Sequence, residues 1–286
     1  MSDELLRPFR DKLRGRSHAS PGSEPPPAPP GDEAPPDSIH IREVRVGPFP
    51  EASPLHSGFV PGLPRVRMTI DLGADLRGTP IPLSREGREA LLGLCPRLVD
   101  HDCGDGDGFL HLLEGRAPAV PETAGAAGDA EPRDGLAVAH LIEHVAIEIL
   151  VGVLGLRRCS GVTCAHRERL DRFDIFLESP EPLAGRAAAI LAAAVVRDLC
   201  LRRSVRMTLH RRCRDLLALL ASSRTASLVA EDAAGSLACG SDEALQVLEE
   251  LVRLGYLAAV PSLLLFSSAT GVLFRRAELT ATSRDL

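Results

Sequence analysis

The sequence predicts an α+β fold: a two-layer sandwich of a small sheet with packed helices, followed by a smaller, mainly helical winged-helix-like domain. Three observations predict it. Short segments alternate apolar and polar residues with the period of a half-buried strand. Two stretches, Leu136–Leu154 and Ala184–Leu201, are apolar over helical lengths. From about Thr208 the rhythm changes to short amphipathic helices closed by apolar segments, the pattern of a separate layer.

Residues 1–37 contain SPGSEPPPAPPGDEAPP, an acidic Pro-rich segment with too little apolar area to fold. The α+β domain is expected over 38–205. Its first strand is Ile39–Val46 and its second Arg65–Leu72, both alternating. Ser84 has the chemistry of an N-cap for a helix running through Ala90 towards Leu94 and ending before Pro96. His101–Gly108 is rich in acids and turn formers but lacks the spacing of a calcium loop. Residues 117–134 read as a flexible insertion, and 155–172 as a loop carrying Cys159 and Cys164. A strand at Phe173–Leu177 and the Ala-rich helix close the domain. Residues 206–286 are the winged-helix-like or dimerisation module, with helices near Arg214–Ala221, Ala226–Leu237 and Asp242–Leu254, and apolar segments at Tyr256–Val260, Ser262–Phe266 and Gly271–Phe274.

Composition excludes several roles. The net charge is −6 over 286 residues, which disfavours broad binding to a phosphate backbone. Aromatics make up 3%, with no Trp and one Tyr, too few for base-stacking platforms. Seven cysteines, scattered and odd in number, read as thiols. No charge-free apolar run reaches membrane-spanning length and the N-terminus lacks a secretory pattern, so a cytoplasmic protein without membrane contact is the expectation.

The chemistry concentrates in His140-Leu-Ile-Glu-His144, an H-x-x-E-H pentad. Histidines four apart share a helical face and can hold one metal ion, while Glu143 handles a water. At roughly 100° per residue, Glu143, His144 and Glu148 fall at about 300°, 40° and 80° from His140, one polar stripe on an otherwise apolar helix. Buried imidazole and carboxylate groups are costly unless paired or metal-bound. The plainer reading is a short polar edge touching solvent, or a hydrogen-bonded His–Glu pair inside the core. Cys159-x4-Cys164 with His166 has no second pair at finger spacing and reads as ordinary thiols.

Beyond the pentad, IREVRV at 41–46, MTIDLG at 68–73, LCPRLVDHDC at 94–103, GFLHLLEG at 108–115, AHLIEHVAIEI at 139–149 and FDIFLESPEP at 173–182 resemble, in order and spacing, the N-terminal domain of the cyanophycin synthetase family. The resemblance covers about 39–201. It implies contact with an Asp/Arg-containing polymer and, as in some relatives, a zinc-dependent hydrolytic site on the H-x-x-E-H helix. On this chain it implies His140, His144 and Glu178 as Zn2+ ligands, with Glu178 at the end of the following strand, and Glu143 as the catalytic group. Glu148 is then a substitute ligand or a carboxylate orienting an imidazole. The loop at 157–172 departs from the family's Gly-Arg-Thr-Arg-Glu-rich stretch. Its Arg157, Arg158, Arg167 and Arg169 are candidate contacts to an acidic peptide, or a solvated loop. The family's ATP-grasp and Mur-ligase-like domains and a P-loop are missing from the sequence, so synthetase or ligase activity is not expected.

Three functions follow: a zinc metallopeptidase-like hydrolase acting on a peptide or isopeptide, a non-catalytic peptide-binding or scaffolding protein, or a regulator using the C-terminal module. That module's third helix offers Glu243, Gln246, Glu249, Glu250 and Arg253 as its exposed face, which favours a homodimer or protein partner over DNA.

Overall fold

The computed structural model describes residues 38–77, 81, 83–100, 135–203, 206–223, 227–262 and 271–277, all within one compact unit, Ala34–Leu286. The proposed tail, the acidic turn at 101–108 and the insertion at 117–134 lie outside these residues.

Four antiparallel strands form the first sheet in the order β1-β2-β4-β3, with β1 Ile39–Gly47, β2 Arg65–Leu72, β3 Gly161–Ala165 and β4 Arg172–Glu178. Strand alternation assigns the faces. Val66, Met68, Ile70 and Leu72 of β2 and Phe173, Ile175 and Leu177 of β4 join the main hydrophobic core, whereas Phe176 packs in a separate small cluster with Ala52 and Phe59. In β1 the apolar positions change parity, from Ile39 and Ile41 to Val44 and Val46. A bulge between Ile41 and Glu43 absorbs the extra residue and keeps all four on the core face.

Ionic pairs cover the polar face. Asp71 is buried between Arg42 (2.6 Å) and Arg172 (2.7 Å). Asp174 accepts from Thr69 and Arg67 at 2.6 and 2.7 Å. Burial pushes both carboxyls up, but these hydrogen bonds and charges outweigh it and hold them below the usual range.

The helices on the core side are α1 Arg85–Leu94, α2 Leu136–Leu154 and α3 Pro182–Cys200. Ser84 caps α1 as expected, accepting from the Gly87 N–H at 3.0 Å. Helix α2 is the one described helix long and apolar enough to cross a membrane, but 78% of its most apolar window is buried inside the fold, which makes it a core helix. The Ala-rich face of α3 allows close approach: a Cβ on Gly185 would lie 2.5 Å from Ser179 Cβ and 2.9 Å from Val66 Cγ2. Gly185→Ala is therefore expected to lose about 1–3 kcal/mol in urea unfolding. Gly235→Ala, where a Cβ meets nothing within 4 Å, should gain about 0.5–1 kcal/mol.

The C-terminal part runs α4 Met207–Ser222, β5 Ser227–Leu228, α5 Ala230–Leu237, α6 Ser241–Arg253, β6 Leu257–Ser262 and β7 Gly271–Arg276. The strands pair in the order β5-β7-β6, which is the winged-helix arrangement. Three expectations need correction. The first helix begins at Met207, not near Arg214, and the second is preceded by a two-residue strand. Glu250 is buried rather than exposed, because Ala244, Val247 and Leu251 set the buried stripe it belongs to; it pairs with Arg253. Cys213, Leu216, Leu217 and Leu220 of α4 share one hydrophobic core with α2 and α3. A fully buried hydrogen bond, His210 Nε2 to Asp198 Oδ2 at 2.9 Å, ties α4 to α3.

Candidate metal centre

Helix α2 carries the pentad on the side facing β3. His140 is partly exposed, while His144, Glu143 and Glu148 keep 6%, 5% and 9% of their surface. The residues lie one turn apart, so their side chains converge. One ligand atom from each of His140, Glu143 and His144 falls within 4.8 Å of the others, and this group can hold a metal ion.

The two Nε2 atoms face each other at 2.8 Å, with ring centroids 4.5 Å apart. Two imidazoles at zinc–nitrogen distances of about 2.05 Å and a tetrahedral angle have nitrogens roughly 3.3 Å apart. An ion would therefore need to part these rings by only about 0.5 Å, and the donor set of two imidazoles and a carboxylate is one that zinc accepts.

Glu143 is held from the strand side. Its Oε2 accepts from Thr163 Oγ1 at 2.5 Å, and Gly161 leaves room for Oε1, which a Cβ there would approach to 2.9 Å. Burial pushes the Glu143 carboxyl up to about 7, against the Thr163 hydrogen bond. A cation held beside it would draw that value down again.

Strand β3 itself was expected to be loop. Its pattern, Gly161-Val-Thr-Cys-Ala165, is short and half polar, but it pairs along β4 from Gly161↔Leu177 to Ala165↔Phe173. That pairing turns Gly161 and Thr163 towards α2 and leaves Val162 and Cys164 with the Phe176 cluster.

Glu178 does not join the group. One residue past Leu177, it falls on the opposite face of β4, where its Oε1 accepts from the Val60 N–H at 2.6 Å. The carboxylate of the described cluster is Glu143. Glu148 lines the same cavity one turn beyond His144, as an orienting carboxylate would.

That cavity holds about 620 Å³ and is lined by the pentad's polar residues, Thr163, Arg157 and Arg158. The four loop arginines therefore divide. Arg157 and Arg158 face the cavity; Arg167 is exposed away from its lining, and Arg169 forms a two-point pair with Asp171 at 3.0 and 2.9 Å. His166 pairs with Asp174 at 3.1 Å on the sheet's polar face. Cys159 lines the cavity, but burial pushes its thiol up to about 12 and its Sγ donates to the Glu178 carbonyl at 3.1 Å. Cys164 is likewise pushed up by burial, to about 11. Arg97 and His56 also line the cavity. Arg97 reaches the site from a short 3-10 helix, Pro96–Asp100, and His56 from an irregular segment, both far from the pentad in sequence.

No protein-family model matches the chain, and no curated protein does.

Proposed function

We propose that this chain is a zinc-dependent, metallopeptidase-like hydrolase that cleaves a peptide or isopeptide, built on the frame of the N-terminal domain of cyanophycin synthetases, with an Asp/Arg-containing polymer as one candidate substrate. The observation that carries it is the convergence of His140, Glu143 and His144 on the floor of the 620 Å³ cavity.

In this reading His140 and His144 hold the ion. Bound zinc supplies Lewis acidity, lowering the pKa of water to about 7 and polarising a carbonyl. Glu143 accepts the proton from the attacking water and delivers it to the leaving amine. Thr163 fixes Glu143 through Oε2, leaving Oε1 on the side of Gly161 to exchange protons. Glu148, one turn beyond His144 on the same cavity, serves to orient an imidazole.

Glu143→Gln tests the assignment. It should retain about one zinc per chain by elemental analysis while lowering turnover of a mixed peptide pool by roughly 10²–10⁴-fold. Full activity in that variant would remove Glu143 from the chemistry.

The winged-helix arrangement favours a second reading, a peptide-binding scaffold or regulator that recruits a partner through 206–286. On α6 the exposed residues include Asp242, Glu243 and Glu249, which repel phosphate and suit a protein or a second copy of the chain better than DNA. Such a protein would bind peptides without cutting them and would ignore chelators.

A further inference from the structure

The metal cavity does not end at Glu148. A second cavity of about 300 Å³ lies next to it and shares Arg97, Glu148 and Val151 as lining residues. Its far wall is α4 of the winged-helix part, through Arg214, Asp215 and Ala218. Arg214 fixes that wall: its Nη1 donates to the Leu94 carbonyl at 2.5 Å, and the guanidinium pairs with its neighbour Asp215 at 2.7 Å.

Together the two cavities follow one side of α2. From His144 to Gly152 the helix rises about 12 Å, the reach of about four residues of extended chain. The charge distribution is layered. Glu143 and Glu148 are buried in the floor, whereas Arg97, Arg157 and Arg158 are exposed at the edge. None of these three arginines makes a hydrogen bond or ion pair among the described residues, and Arg97 stands where the cavities meet. Guanidinium groups without partners are suited to carboxylates.

We infer that the cavities form one cleft for an extended acidic peptide, with Arg97 reading a carboxylate side chain at the junction and α4 bounding the far end. The C-terminal part is then a wall of the substrate site. The inference rests on the proposed hydrolase site, whose substrate class it names.

The test uses the full chain carrying Glu143→Gln, so that bound peptide survives, and fluorescence polarisation with three labelled peptides: (Glu-Ala)4, its charge-neutral twin (Gln-Ala)4, and the short (Glu-Ala)2. The acidic octapeptide is expected to bind at least about tenfold tighter than either of the others, consistent with a carboxylate–guanidinium contact. Arg97→Ala should remove the charge preference. Gly152→Phe, at a position where a Cβ meets nothing within 4 Å, should fill the second cavity and remove the length preference.

Equal affinities, no binding, or preferences that survive both substitutions would overturn the inference. Zinc measured on the same samples separates the two ideas. Zinc with no peptide preference defeats the cleft alone, and a peptide preference in protein that takes up no zinc defeats the metal site alone.

Discussion

Exchanging His144 for alanine is expected to reduce zinc on the purified protein from about one per chain to a small residue, with His140→Ala behaving alike. The expectation follows from the donor set: His140 and His144 supply the only imidazoles of the described group, and their Nε2 atoms lie 2.8 Å apart. Loss of a residue that merely orients a ligand costs about 10–100-fold in metal affinity, and loss of a ligand should cost more. Zinc at a thousand times its Kd stabilises a folded protein by about 4 kcal/mol. Thermal unfolding of the wild type should therefore shift upward on adding zinc and downward with chelator, and neither shift should appear in His144→Ala. Wild-type protein that takes up no zinc would sink the proposed chemistry.

The largest stability effect is expected at Asp198. Asp198→Ala should cost roughly 3 kcal/mol in urea unfolding, because it leaves His210 buried without its partner and removes a charge that Arg197 and Arg206 face. Asp198→Asn, which keeps an acceptor, should lose less. The pH dependence has a definite sign. Burial raises the Asp198 carboxyl, but the His210 hydrogen bond and the Arg197, His210 and Arg206 charges outweigh it and hold the group below its ordinary value of 3.8. Its contribution is therefore present above about pH 4 and disappears as pH falls through the lower folded value. In Asp198→Ala that part of the acid-side loss should be missing.

Much of the frame could be read from residue order alone. β2 begins and ends at the expected residues, and the polar stripe of His140, Glu143, His144 and Glu148 lies on a helix buried over most of its surface. What escaped had weak local signals. β3 gains its stability from β4, so its own five residues show little period. Glu178 illustrates a parity rule that was visible: Phe173, Ile175 and Leu177 mark the core face, and Glu178 must lie opposite. Phe176, apolar yet on the outer side, obscured it. Glu250 was misplaced for the same kind of reason, since its spacing from Val247 already put it among buried neighbours. The cavity's Arg97 and His56 depend on how short, non-repeating segments fold back, which no periodicity encodes.

The shared core of α2, α3 and α4 changes what counts as a part of this protein. Residues 206–286 were expected to form a module of their own, yet the first helix there packs against the helix bearing the histidines. A chain cut after residue 205 would bare the apolar backing of that helix to water. Residues 206–222 are thus part of the housing of the histidine helix, and the two portions should unfold together rather than as beads on a string.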